Sequence, residues 1–394
     1  MAHALPKLTA WVALSCLLAL AAVSQTTCGG GGPGVAVASG PPASSPPSQP
    51  SPPPATTDPC SPTPAGPVAN VQDAPYGARG DGASDDTAEI QMAVNAVART
   101  GGTVLVPAGT YMVDAVTSVM LKGNMTFQMA EGAVLKAIPN GVGNYSILTV
   151  YQAADVTIMG GTLVGDYGNP VTHTGTTGEW GMGLSLSGAS NVTVVGVTAR
   201  DCWGDGFYLE NGCSGVTLCS LNAVHNRRNG LTVTSAVLVT VNDSVFTGSG
   251  GTLPEDGLDL EPNPGETVDQ VTISGCTMSG NAGDGVADGV DLANTGTAFI
   301  TRVTLSGNTI TGNGANSLDS DPRSGIEVSN VTGHLISGNT VDANTGNGIL
   351  LRDRATGLTV TGNTIEGNSL HGLWDQVGGN ATGGNVVSGN GLSP

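Results

Sequence analysis

Gly206-Phe207-Tyr208-Leu209, Gly230-Leu231-Thr232-Val233 and Gly257-Leu258-Asp259-Leu260 are three copies of one unit: a glycine followed by alternating positions. The unit begins at Gly183-Leu-Ser-Leu and continues through Gly289-Val-Asp-Leu, Gly325-Ile-Glu-Val and Gly348-Ile-Leu-Leu to Gly372-Leu-Trp-Asp. Successive glycines stand 23 to 27 residues apart, widening to 32 and 36 on either side of Gly289. Between them runs a second segment: Val192-Thr-Val, Val216-Thr-Leu, Val239-Thr-Val, Val271-Thr-Ile, Val303-Thr-Leu and Leu358-Thr-Val. Alternation over three or four residues has the period of a strand and not of a helix. Short strands repeated at this interval, with Gly and Asn turns between them, predict an all-β solenoid in which each repeat is one coil.

The asparagines agree. Asn308, Asn339 and Asn363 follow Ser-Gly, Ser-Gly and Thr-Gly at the same place in successive coils, with Asn385 a looser fourth. Stacked at ~4.8 Å, such side chains can hydrogen-bond along a ladder, which is a structural role and not a catalytic one. At the front, Ser84-Asp85-Asp86 precedes an apolar stripe of Ile90, Val94 and Val97. Serine as N-cap with two aspartates in the first turn predicts a helix, which would cover the open first coil.

The segment Tyr76-Gly-Ala-Arg-Gly-Asp-Gly-Ala-Ser-Asp-Asp-Thr87, then Ile90-Gln91, then Gly101-Gly-Thr-Val-Leu-Val-Pro-Ala-Gly-Thr-Tyr111, resembles the N-terminal signature of the pectate-lyase superfamily. The resemblance implies a right-handed parallel β-helix with an N-terminal capping helix. It also implies a group containing polygalacturonase-like glycoside hydrolases, uronan lyases, C5-epimerases and phage tailspikes. The signature speaks to fold and leaves Asp81, Asp85 and Asp86 with structural roles.

Residues 1–28 hold Lys7 and an apolar run from Trp11 to Val23, too short to span a bilayer, and read as a signal peptide. Cys28 followed by four glycines resembles a bacterial lipoprotein start, so a lipid anchor at Cys28 stands beside plain secretion. Residues 29–70, rich in Gly, Pro and Ser, form an extended tether, leaving 71–394 as the solenoid domain. The seven cysteines show no CxxC metal spacing, and export permits disulfides. Net charge is −19 with only 12 Lys+Arg among 394 residues, which argues against nucleic acid as a partner. The chain is expected to be an exported monomer.

In each coil the residues one and three after the glycine should point inward, and those two and four after it outward. The outward positions include Glu210, Asp259, Glu261, Asp291 and Glu327, with Tyr208 and Trp374 toward the two ends and Arg352 the one cation. Five acids on one stripe of a chain that is only 11% charged point to function more than to solubility. On this register Asp259 and Asp291 are neighbours at ~4.8 Å, near enough for each to raise the other's pKa. Glu261 and Asp291 lie on a diagonal of roughly 8 Å, the separation of an inverting glycosidase pair.

Asp259, Glu261 and Asp291 are therefore the expected acid and base residues of a glycoside hydrolase acting on a polysaccharide. Glu210, Glu327, Tyr208, Trp374 and Arg352 would shape subsites. His173, Glu179 and Trp180 could wall one side, Asp205 could act there or make an Asx turn, and His225 with Arg228 could supply a proton shuttle and anion clamp. No cofactor is called for. Two alternatives use the same stripe: a Ca²⁺-dependent uronan lyase or C5-epimerase, for which cations are scarce, and a glycan-binding solenoid without catalysis.

Overall fold

A methyl group on Gly257 would lie 2.6 Å from the carbonyl oxygen of Gly285, and one on Gly285 would lie 2.6 Å from that of Gly325. Gly206, Gly230, Gly325 and Gly348 stand in the same column, each with the next glycine's carbonyl filling the space a side chain would need. This close approach explains the repeated glycine and sets the register of the coils. In the computed structural model, which describes residues 58–64, 66–169 and 178–392, the chain winds as a right-handed parallel β-helix of three parallel sheets. The first sheet runs from Val68–Asn70 to Thr359–Thr361, the second from Asp81–Asp85 to Val386–Ser388, and the third from Val119–Leu121 to Leu373–Asp375. One coil gives a strand to each, as in Ser190–Val195, Thr198–Arg200 and Phe207–Glu210. Inward residues such as Phe207, Leu209, Val216, Leu218 and Ala223 are fully buried and form one continuous core. The leader, Cys28 and His173 lie outside the described residues.

The predicted asparagine ladder is present: Asn308 Nδ2 donates to Asn339 Oδ1, Asn339 to Asn363 and Asn363 to Asn385, each at 2.9 Å. A second ladder, not anticipated, occupies the turn between the second and third sheets. It runs Asn281, Asn313, Asn344, Asn368 and Asn390 at 2.9 to 3.0 Å. Both satisfy turn backbone groups that would otherwise be buried without partners.

The helix spans Thr87–Val97 and buries Ile90, Ala93, Val94 and Val97. Its N-cap is Asp86, not Ser84, because Asp81–Asp85 is extended and pairs with the strand Gly109–Val113. The Asp86 carboxylate is instead drawn back to the amides of Arg79 and Gly80, at 2.6 and 3.1 Å. Ahead of the helix, Val68–Asn70 already pairs with Thr103–Val106. A Cys60–Cys219 disulfide ties the preceding segment to the solenoid, and Cys202, Cys213 and Cys276 are buried thiols.

One coil departs from the expected register. The glycine that follows Gly257 in the column is Gly285, not Gly289: Leu258 pairs with Val286, Asp259 with Ala287 and Leu260 with Asp288. The alternation misleads here because Asp288 takes an inward position, between Leu260 and Val328, where an apolar residue is expected. It is buried there with His334, whose Nδ1 lies 2.9 Å from Asp288 Oδ2. Replacing one member strands the other's charge in the core. His334→Leu is therefore expected to lower unfolding free energy by about 3–5 kcal/mol, while Asp288→Leu/His334→Leu should recover most of it, both read from urea denaturation midpoints.

Candidate active site

The third sheet carries the stripe. Its outward row reads Ser185, Tyr208, Thr232, Asp259, Ala287, Glu327, Leu350 and Trp374 by strand pairing. Beside it runs a column that sequence reasoning largely missed, the residue just before each stacked glycine. Asp205 Oδ1 accepts from the amide of Asn229 at 2.9 Å, Asn229 Oδ1 from Asp256 at 2.8 Å, and Asp256 Oδ1 from Asp284 at 2.6 Å. Asp284 Oδ1 then accepts from the amide of Ser324. These side chains are all buried, so each carboxyl spends one oxygen on the next coil's backbone and turns the other toward the groove or its arginines.

The two rows meet at Asp259. Its Oδ2 accepts from Asn229 Nδ2 at 3.0 Å, and only 3% of the residue is exposed. Glu261, two residues on, is at the rim with its side chain 48% exposed. Arg228 lies between, with Nη1 2.9 Å from Asp205 Oδ2 and Nη2 3.8 Å from Glu261 Oε2. Further along, Arg323 reaches Asp284 at 3.5 Å and Asp319 at 2.6 Å, and Arg352 holds Glu327 at 2.7 Å. Asp256, Asp259, Glu261, Asp284 and Glu327 together line a cavity of about 450 Å³.

Burial sets the protonation. It pushes Asp256 and Asp259 well above the ordinary carboxylate range, Asp284 adding to the first and Glu261 to the second. Asp284 is pushed up to about 7 by burial, with Glu327 adding and Arg323 opposing. Glu261 is raised by the protein around it and by Asp291, against Arg228. Among the described residues Asp256 Oδ2 is buried without a hydrogen-bond partner, which adds to the cost of its charged form. Burial thus favours the protonated form of the inner carboxyls, beside a half-exposed Glu261, the division of labour that acid–base catalysis needs. The donor set suits a dication poorly: Asp205, Asp284 and Glu327 are each held by a guanidinium. Among the described residues no three His, Cys, Asp or Glu side chains converge as metal ligands do.

The expected site residues divide. Asp259, Glu261, Asp291, Glu327 and Arg352 line one cavity. Asp291, however, stands off the strand because of the Gly285 register, and its Oδ1 caps the short helix Leu292–Asn294 by accepting from Ala293. It is thus no row neighbour of Asp259. Tyr208, Glu210 and Trp180 line a second cavity on the same sheet. Glu179 adds its charge at Arg228 and Glu261. Asp205 and Arg228 form the buried pair already described, a positioning role and not an open anion clamp. His225 is turned away to Asp201, at 2.8 Å, with its ring against Tyr167. Trp374, 40% exposed, packs on His371 at the far end. The residues missed were Asp256, Asp284 and Arg323; the recurring Asp-Gly of 205, 256 and 284 was the signal for the first two.

A family model described as a right handed beta helix region matches residues 153–255 and 256–392. The Bacillus subtilis protein YclG is 28% identical over 216 residues, 48% of this chain, and the match spans 37% of that relative's length. Among solved structures, the A-module of the Azotobacter vinelandii mannuronan C-5 epimerase AlgE4 superposes with a TM-score of 0.55 at 21% identity, covering 82% of this chain and 95% of the module. A Thermotoga maritima exopolygalacturonase gives 0.57 at 14%, covering 77% and 81%. At these identities the likeness is one of fold.

Because the folded chain binds the Asp284 proton more tightly than the unfolded chain does, this group's contribution to stability is full below the ordinary carboxylate pKa. It is lost as pH rises toward about 7. Asp284→Asn should therefore make the fall in Tm between about pH 4 and about 7 shallower, and raise Tm above it, in a calorimetric pH series.

Proposed function

As the chain belongs to the right handed beta helix family, in which coils distant in sequence share one face, we propose that it is an exported polysaccharide-degrading enzyme of the glycoside hydrolase type. The observation that carries this reading is the buried Asp259, whose carboxyl burial pushes well above the ordinary range, beside the half-exposed Glu261. Alternate residues of a strand are ~6.6 Å apart on one face, which suits the ~6.5–9.5 Å of an inverting pair with a water between. Asp259 gives its proton to the leaving glycosidic oxygen. Glu261, whose ionised form Arg228 favours, takes a proton from the attacking water. Asp256 and Asp284 keep the pocket floor acidic, and Asp291 tunes Glu261 from the rim.

Further support is circumstantial. Two neighbours in the fold are named as a mannuronan epimerase and an exopolygalacturonase, both acting on polysaccharides. Export is supported by the apolar leader and by a disulfide between Cys60 and Cys219, a bond that persists in oxidising compartments. A lipid at Cys28 would hold the enzyme at the cell surface on its Pro/Gly/Ser tether.

Asp259→Asn and Glu261→Gln should each lower turnover by about 10²–10⁴-fold while the products of the parent remain plain reducing ends. An unsaturated product absorbing in the ultraviolet would make the enzyme a lyase, and full activity in both variants would remove the assignment. Asp291→Asn should leave turnover substantial and move the acid limb of the rate profile to lower pH, since it takes a negative charge away from Glu261.

A further inference from the structure

The groove is acidic even where it holds cations. Among the described residues that line the larger cavity are eight carboxylic acids and two arginines. Arg228, Arg323 and Arg352 are each already held by a carboxylate, at 2.9, 2.6 and 2.7 Å. A polyuronide entering here would bring a carboxylate on every sugar up to carboxyls whose ionisation burial already opposes, with both lining arginines already engaged.

Toward the N-terminal end of the same sheet lies a cavity of about 320 Å³ with a different lining. Trp180 opens the strand Trp180–Ser187 in register with Asn144, and Tyr208 and Glu210 come from the strand one coil further on. Among the described residues that line it, Glu210 is the one charged group. Two half-buried aromatics can offer a flat apolar surface to the C–H face of a sugar, while Asn144 and Glu210 can take its hydroxyls. Burial already raises the Glu210 carboxyl, so an anionic ligand would be opposed here as well. Tyr208 is two register steps from Asp259, through Thr232, or roughly 9–10 Å along the axis at ~4.8 Å per rung. A chain of sugars in the groove would meet both places.

Resting on the hydrolase reading of the groove, we propose that its substrate is an uncharged glycan and that Trp180, Tyr208 and Glu210 form a subsite for a neutral sugar. This separates the chain from the two fold neighbours named above, whose names carry polyuronides.

The test is affinity electrophoresis and reducing-end release with the full chain, on β-glucan, xylan and galactan against polygalacturonate and alginate. Retardation or cleavage with a neutral polymer and none with either polyuronide is expected. Trp180→Ala should then weaken the neutral complex about tenfold, and Trp180→Phe by no more than about threefold, with circular dichroism confirming that both fold. Preference for a polyuronide overturns the proposal and leaves a polysaccharide-active enzyme standing. Neutral binding without cleavage supports the proposal and removes the hydrolase reading. Neutral binding untouched by Trp180→Ala overturns the subsite, and failure to bind any of the five overturns both.

Discussion

Adjacent coils of this molecule approach so closely at one column that only hydrogen fits on the α-carbon, and the remaining architecture follows from that contact. With the glycine carbonyl of one turn lying against the glycine of the previous one, each following strand is held in step with its neighbour. Residues two and four places after the glycine then form straight rows, and the residue before it forms another. Residues separated by 27 to 62 positions, such as Asn229 with Asp256 and Glu255 with Ser317, become neighbours. Register is therefore the quantity on which the chemistry depends.

The same stacking dictates the electrostatics. A carboxyl in the pre-glycine column is buried by the coil above and the coil below, so it is desolvated, and an acid on the next coil, Asp284 for Asp256 and Glu327 for Asp284, adds like charge. Burial and like charge act in one direction and favour the neutral form. Three arginines offset part of this, each placed beside a different acid. A groove of this kind costs stability, and the asparagine ladders and the closed apolar core carry the fold in its place.

Much of the fold was legible because its signals repeat. One glycine or one Val-Thr-Val says little, but eight in series specify coils, and the asparagines that follow Ser-Gly revealed one ladder. The second ladder was harder to read because its coils vary in length: the one between Asn281 and Asn313 carries the short helix Leu292–Asn294, and the turn after Asn313 runs on to Arg323. The site was less legible, for two identifiable reasons. Asp288 breaks the inward apolar pattern, and its compensation by His334 is 46 residues away; reading past it displaced Asp291 into a row it does not occupy. Asp256 and Asp284 resemble ordinary Asp-Gly turns. Their difference from a solvent-facing turn is burial by neighbouring coils, a property of stacking that local sequence does not carry.

The Cys60–Cys219 bond has a mechanical consequence. If the segment before residue 58 is pulled, as a leash would be in flowing liquid, the load enters the solenoid at the end of the strand Cys213–Cys219, several coils from the first strand. The opening coils sit inside a covalent loop and are bypassed. Peeling, the usual way a stacked ribbon fails under tension, would have to start in the middle, where each strand is bonded on both edges.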